Sequence, residues 1–160
     1  MWLKHSIPLL FCLLLFHTSL IAEDINITSD TNTTQNTLET NHTFNTTYWK
    51  LIHLFNKDIN ASKLSREAHI IFSPLENGKA SFHGASGCNE MLGKYESIEH
   101  NLTIDNKHIA MTRMACPDMK IEMQFLEVLG KTIVWEIVDN HLELLDSNNS
   151  VLARFKASNK

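Results

Sequence analysis

Cys88 and Cys116 are the residues best suited to covalent chemistry in this chain, and their surroundings decide which reaction is open to them. In an oxidising compartment two thiols pair as a disulfide, and a loop of this size restricts the unfolded chain by about 3 to 4 kcal/mol. Two buried thiols, or a reactive or metal-binding pair, are the alternatives. Geometry separates them, because Cα atoms more than about 7 Å apart exclude the bond. His83 lies close to Cys88 in the sequence and Asn89 follows it, a spacing that permits a base-assisted cysteine nucleophile. An exported cysteine facing a second cysteine is more readily oxidised than activated, which argues against that reading.

Metal chemistry has weaker support. The chain has nine histidines, none with another at i+2 or i+4, and no Cys-x-x-Cys, so no local zinc ligand set is built. Met111, Met114, Met119 and Met123 crowd one stretch. Such methionines fill core gaps first; a soft binding face or a copper(I) site are the other readings. No cofactor, metal site or catalytic residue is expected. Without Lys4, 13 Lys plus Arg face 18 Asp plus Glu, and the basic residues are dispersed, so no nucleic-acid partner is expected.

Asparagine carries a third chemistry. Of seven Asn-x-Ser/Thr sequons, six (Asn26, Asn32, Asn41, Asn60, Asn101 and Asn148) have an acid two residues earlier, and only Asn45 does not. With 18 acids in 160 residues, chance would produce this about once in a hundred thousand. The extended pattern Asp/Glu-x-Asn-x-Ser/Thr is similar to the acceptor of a bacterial oligosaccharyltransferase, so these six are expected N-glycosylation sites. An Asn/Thr compositional bias is the competing reading.

The elements that position these groups follow from patterning. Met1 to Ala22 reads as a signal peptide, with Lys4 at its start and an apolar run from Ile7 to Phe16 that is too short to span a bilayer. Cys12 is expected to leave with it. Glu23 to Thr47 has nine Thr and five Asn in 25 residues, and such a segment cannot offset its ordering entropy by burial. It reads as a disordered linker. From Tyr48 to Lys160 about eight short strand-like runs alternate with polar turns, Asn77-Gly78 among them. One helix is expected over about residues 117–129: Pro117 and Asp118 suit a first turn, Ile121, Phe125 and Leu129 make an apolar stripe, and Gly130 offers a stop. Gly84 and Gly87 read as a strand bend, since a phosphate loop would run into a helix. The fold class expected is α+β, with one core.

The segments Gly84-Ala85-Ser86-Gly87-Cys88-Asn89, Gly93-Lys94-Tyr95 and Met111-Thr112-Arg113-Met114-Ala115-Cys116, a helix with Glu122 and Leu129, and Trp49-Lys50-Leu51 upstream resemble the META/HslJ domain. The resemblance runs from about Trp49 to Phe155. It implies an antiparallel, partly closed sheet wrapped on one helix, and no established catalytic site to carry over. Members are small bacterial envelope proteins, named for a heat-shock protein.

The expected function is therefore a non-enzymatic, N-glycosylated, monomeric envelope protein in the periplasm. It would bind or stabilise a periplasmic protein or a small hydrophobic ligand, with stress tolerance as the family-level expectation. Membrane contact is expected only through the signal peptide, cleaved after Ala22. One alternative is a hydrophobic-ligand or lipid-binding module, which a continuous apolar cavity would favour. The other is a metal- or redox-responsive protein using the cysteines, methionines or His83.

Overall fold

The computed structural model describes residues 42–76, 79–117 and 119–159. The expected signal peptide, most of the expected linker, Asn26, Asn32, Asn41, the expected turn at Asn77-Gly78 and Asp118 lie outside the described residues.

Strands β1 (Tyr48–Leu54), β2 (Lys57–Asp58), β3 (His69–Glu76), β4 (Lys79–Ala85), β5 (Glu90–Ile98), β6 (Asn101–Ile104) and β7 (Ala110–Met111) precede helix α1 (Lys120–Lys131). Strands β8 (Val134–Val138), β9 (His141–Leu145) and β10 (Val151–Ser158) follow it. Around the sheet the order is β1, β3, β4, β5, β6, β8, β9, β10 and back to β1, antiparallel throughout. The two-residue strands β2 and β7 pair with β1 and β5. This is the α+β, partly closed sheet expected, with ten strands instead of about eight. The ring is thinnest between β6 and β8, where Asn101 faces Val134 and Leu102 N–H donates to the Ile133 carbonyl at 2.8 Å.

Strand β5 shows why the sheet buries one face. Met91, Gly93 and Tyr95 point inward while Leu92, Lys94 and Glu96 are exposed, the two-residue period of a half-buried strand. Trp49, Phe72, Phe82, Phe125 and Phe155 fill the interior and are fully buried. Phe82 lies so close over Gly93 that a Cβ there would sit 2.4 Å from the ring. Gly93→Ala should therefore destabilise the domain by about 1 to 3 kcal/mol through overpacking, read as a lower urea midpoint at unchanged slope. A neutral substitution would show that Phe82 has room to move.

Helix α1 differs from its expectation at both ends. It starts at Lys120 instead of 117, because Cys116 is tied to Cys88 and the chain before it is held irregular by side-chain hydrogen bonds described below. It runs through Gly130 to Lys131, and Thr132 closes it by donating from its N–H and Oγ1 to the Val128 carbonyl. Gly130 is not a stop; a Cβ there would meet Asn106 at 2.3 Å, so its small size serves close packing. Phe125, Val128 and Leu129 join the core, as the stripe predicts.

The boundary at Tyr48 also moves. Composition places residues 42–47 in the linker, yet Phe44 is buried, with ring centroids 4.2 Å from both Phe72 and Trp135. Its carbonyl accepts from Trp49 Nε1 at 3.0 Å. Burial of Phe44 and the hydrogen bonds beside it, Thr46 N–H to the Phe72 carbonyl at 2.8 Å and Tyr95 Oη to Asn45 Oδ1 at 2.8 Å, together offset the ordering of a segment whose average composition is polar.

Candidate functional site

The site grows from the loop between β4 and β5. Gly87 takes φ +100°, a left-handed conformation that favours glycine, and this turns Ser86, Cys88 and Asn89 under the start of α1. All three side chains are buried. The Cys88 and Cys116 Cα atoms are 6.1 Å apart and their sulfurs are bonded, so the disulfide among the three readings of the cysteine pair is the one the structure holds.

Glu122, in the first turn of α1, reaches into this loop and is only 7% exposed. Its Oε2 accepts from Ser86 Oγ at 2.6 Å and from the Asn89 backbone N–H at 3.0 Å, and its Oε1 accepts from Asn89 Nδ2 at 3.1 Å. Burying a carboxylate is costly unless donors replace its water, and here three neutral donors and the positive end of the helix do so. Asn89 in turn grips the segment before the helix. Its Oδ1 accepts from the Met114 N–H at 2.7 Å and from Thr112 Oγ1 at 2.8 Å, and its Nδ2 donates to the Met114 carbonyl at 3.3 Å. Backbone pairing with β5 continues to Thr112, whose N–H donates to the Glu90 carbonyl at 3.1 Å, and at Met114 the Asn89 side chain takes over, so the strand itself is only Ala110–Met111.

The clasp is closed. Among the described residues no buried side-chain nitrogen or oxygen lacks a hydrogen-bond partner. His83 stands on the exposed side of β4, opposite Leu92 of β5, and the Cys88 sulfur it might have activated is already bonded. No group of three or more His, Cys, Asp or Glu that could hold a metal ion occurs among the described residues. The methionines divide: Met111 and Met119 are half-buried, whereas Met114 and Met123 are 50% and 63% exposed and fill no core gap. Glu122 entered the sequence reading only as a motif member; no local signal gives its role, because its partners lie 33 and 36 residues away.

Open clefts lie on the surface, one far from the clasp and one along its edge at Thr112. One of about 660 Å³ is lined by Phe44, Tyr95, Ile98 and Trp135. Another, of about 560 Å³, lies beside Leu92, Met111, His69 and His83, where Arg66 is ion-paired with Glu90.

The expected glycosylation sites that are described fall on the surface. Asn60 follows β2, Asn101 opens β6 and Asn148 lies in the turn before β10, all exposed. Asn45, the sequon without an acid, is different: its Oδ1 accepts from Tyr95 Oη at 2.8 Å. Burial pushes the Tyr95 hydroxyl above the usual phenolic range, so it stays protonated and keeps donating.

Comparison with known proteins agrees with this geometry. Residues 42–159 match the model of the META domain. No curated protein matches the chain. Among solved structures, an NMR structure of a protein from Burkholderia xenovorans shares 20% identity at a TM-score of 0.53, covering 71% of this chain and 79% of that one. A second NMR structure shares 19% identity at a TM-score of 0.52, covering 69% of this chain and 87% of that one.

Proposed function

This chain belongs to the META domain family, and from that premise we propose that it is an exported, N-glycosylated envelope protein that binds or stabilises a partner in the periplasm and catalyses no reaction. The observation that carries the non-enzymatic reading is the closed clasp. Ser86, Cys88, Asn89, Thr112 and Glu122 are the residue types a catalytic site would use, and they are engaged with one another. A catalytic group must be reachable by a substrate, and Ser86, Asn89 and Glu122 are buried beneath the loop and the helix start. The disulfide supports export, since such bonds persist in oxidising compartments. A stress-tolerance role rests on the family alone.

Trp49, Phe72, Phe82, Phe125 and Phe155 fill the interior, which counts against the hydrophobic-ligand alternative.

The test is the intact mass of the protein purified from its native envelope, before and after reduction and alkylation. The expected chain begins at Glu23, gains two hydrogens on reduction and carries repeated glycan increments. An unglycosylated chain with two free thiols would overturn the reading and bring the metal- or redox-responsive alternative forward.

A further inference from the structure

Within the glycoprotein reading just given, on which this inference rests, the exposed sequons differ in what folding does to them. We propose that folding partitions the acceptors: Asn60 remains an acceptor in the folded domain, whereas Asn101 and Asn148 accept a glycan only before their segments fold.

N-glycosylation forms a bond between the asparagine Nδ2 and the anomeric carbon of an activated sugar. The sugar's bond to the oxygen of its lipid-linked pyrophosphate donor breaks, the pyrophosphate leaves with that electron pair, and the amide proton passes to a base of the transferase. The acceptor must therefore present Nδ2, the acid two residues before it and the hydroxyl two residues after it together, on chain that can enter another protein's active site.

Asn60 meets these conditions as folded. Its Oδ1 accepts from both the N–H (3.1 Å) and the Oγ (2.7 Å) of Ser62, so the hydroxyl already lies against the acceptor amide of an exposed residue. The Asp58 carboxylate is 96% exposed, touching only His53 Nδ1 among its described contacts. The segment lies on the two-residue strand β2 and a single 3-10 turn, Ala61–Lys63, and is tied to the domain at the half-buried Ile59, whose N–H donates to the Ile52 carbonyl at 2.9 Å. Only this short edge has to open for it to bind.

Asn148 has the same residue types in the opposite state. Asp146 Oδ1 accepts from the N–H groups of Asn148 (2.8 Å) and Ser150 (2.9 Å), so the acid is turned into its own loop. The Asp146 N–H donates to the Ser150 carbonyl at 3.1 Å, and Asn149 sits at φ 59°, closing the turn between β9 and β10. A transferase that reads the acid must first break this loop. Asn101 is held from both sides. It pairs with Ile98 of β5 and Val134 of β8, and Thr103, which carries its hydroxyl, pairs with Glu96. Drawing that sequon into an active site removes the pairing at which the ring is thinnest.

The experiment compares two states of the full mature chain, made without glycan: oxidised and folded, or reduced and alkylated in denaturant and shown by circular dichroism to stay unfolded after its removal. Each is incubated with a bacterial oligosaccharyltransferase and a lipid-pyrophosphate-linked oligosaccharide, and occupancy is read site by site by glycopeptide mass spectrometry. Asn60 should keep its initial rate, within about twofold, on folding. Asn101 and Asn148 should slow by at least about tenfold, since they react only from an opened minority state. Asp58→Ala should abolish modification of the folded domain at Asn60. Folded-state rates at Asn101 and Asn148 equal to their unfolded rates would overturn the partition, as would loss of Asn60 on folding. An unfolded chain unmodified at every sequon would instead overturn the glycoprotein reading itself, so the two failures are distinct.

Discussion

Glu122→Ala is expected to lower the stability of the domain by about 3 to 5 kcal/mol and its thermal midpoint by roughly 10 to 20 °C. The reason is what the substitution leaves behind. Ser86 Oγ, the Asn89 N–H and Asn89 Nδ2 all donate to this carboxylate in a buried site, and its removal leaves buried donors that the fold keeps from water. An unmet buried donor costs about 1 to 3 kcal/mol, and some rehydration through the small cavity keeps the sum below three times that. Glu122→Gln separates acceptor loss from volume loss. The amide keeps one oxygen but turns an NH₂ toward a donor, so a drop of about 1 to 2 kcal/mol is expected. Glu127→Ala, on the same helix and exposed beside Lys131, is the control and should cost under about 0.5 kcal/mol. Urea unfolding of the oxidised proteins measures all three. An alanine variant within about 1 kcal/mol of the parent would mean that water replaces the carboxylate freely, and that the clasp is not what fixes the helix start.

The second large effect is expected from Cys88→Ala combined with Cys116→Ala. The bond closes a loop across a sequence separation of 28, and restoring that loop's freedom to the unfolded chain costs about 3 to 4 kcal/mol of stability. The loss should appear as a lower urea midpoint in the double variant and in the reduced parent alike. Because Asn89 also holds Met114 by its side chain, the folded double variant should keep the same helix start, and its amide spectrum should change only near the removed sulfurs. Equal stability of oxidised and reduced parent would show that the unfolded chain is already restricted in this region.

Some of this protein could be read from neighbouring residues. The stripe Ile121, Phe125 and Leu129 marked α1, because a helix repeats its face every three to four residues and the repeat is written locally. The Gly-x-Ser-Gly-Cys-Asn and Met-Thr-Arg-Met-x-Cys segments marked the family, and with Cys12 assigned to the signal peptide each remaining cysteine had one partner to find. The acid before six of seven sequons needed counting alone.

Tertiary structure decided the rest. Whether a polar group is satisfied depends on what stands within about 3 Å of it, and for Glu122 those neighbours are Ser86 and Asn89, more than thirty residues distant. Phe44 looked like a stray aromatic in a polar linker until Phe72 and Trp135 were found on either side of it. Asn60 and Asn148 share one sequence pattern, yet the Asp58 carboxylate faces solvent and the Asp146 carboxylate closes a turn. Residue types and spacings are thus set by the chain itself. Which of their atoms face a partner is set by the tertiary structure, because contacts between distant segments decide which groups are buried or held and which stand at the surface.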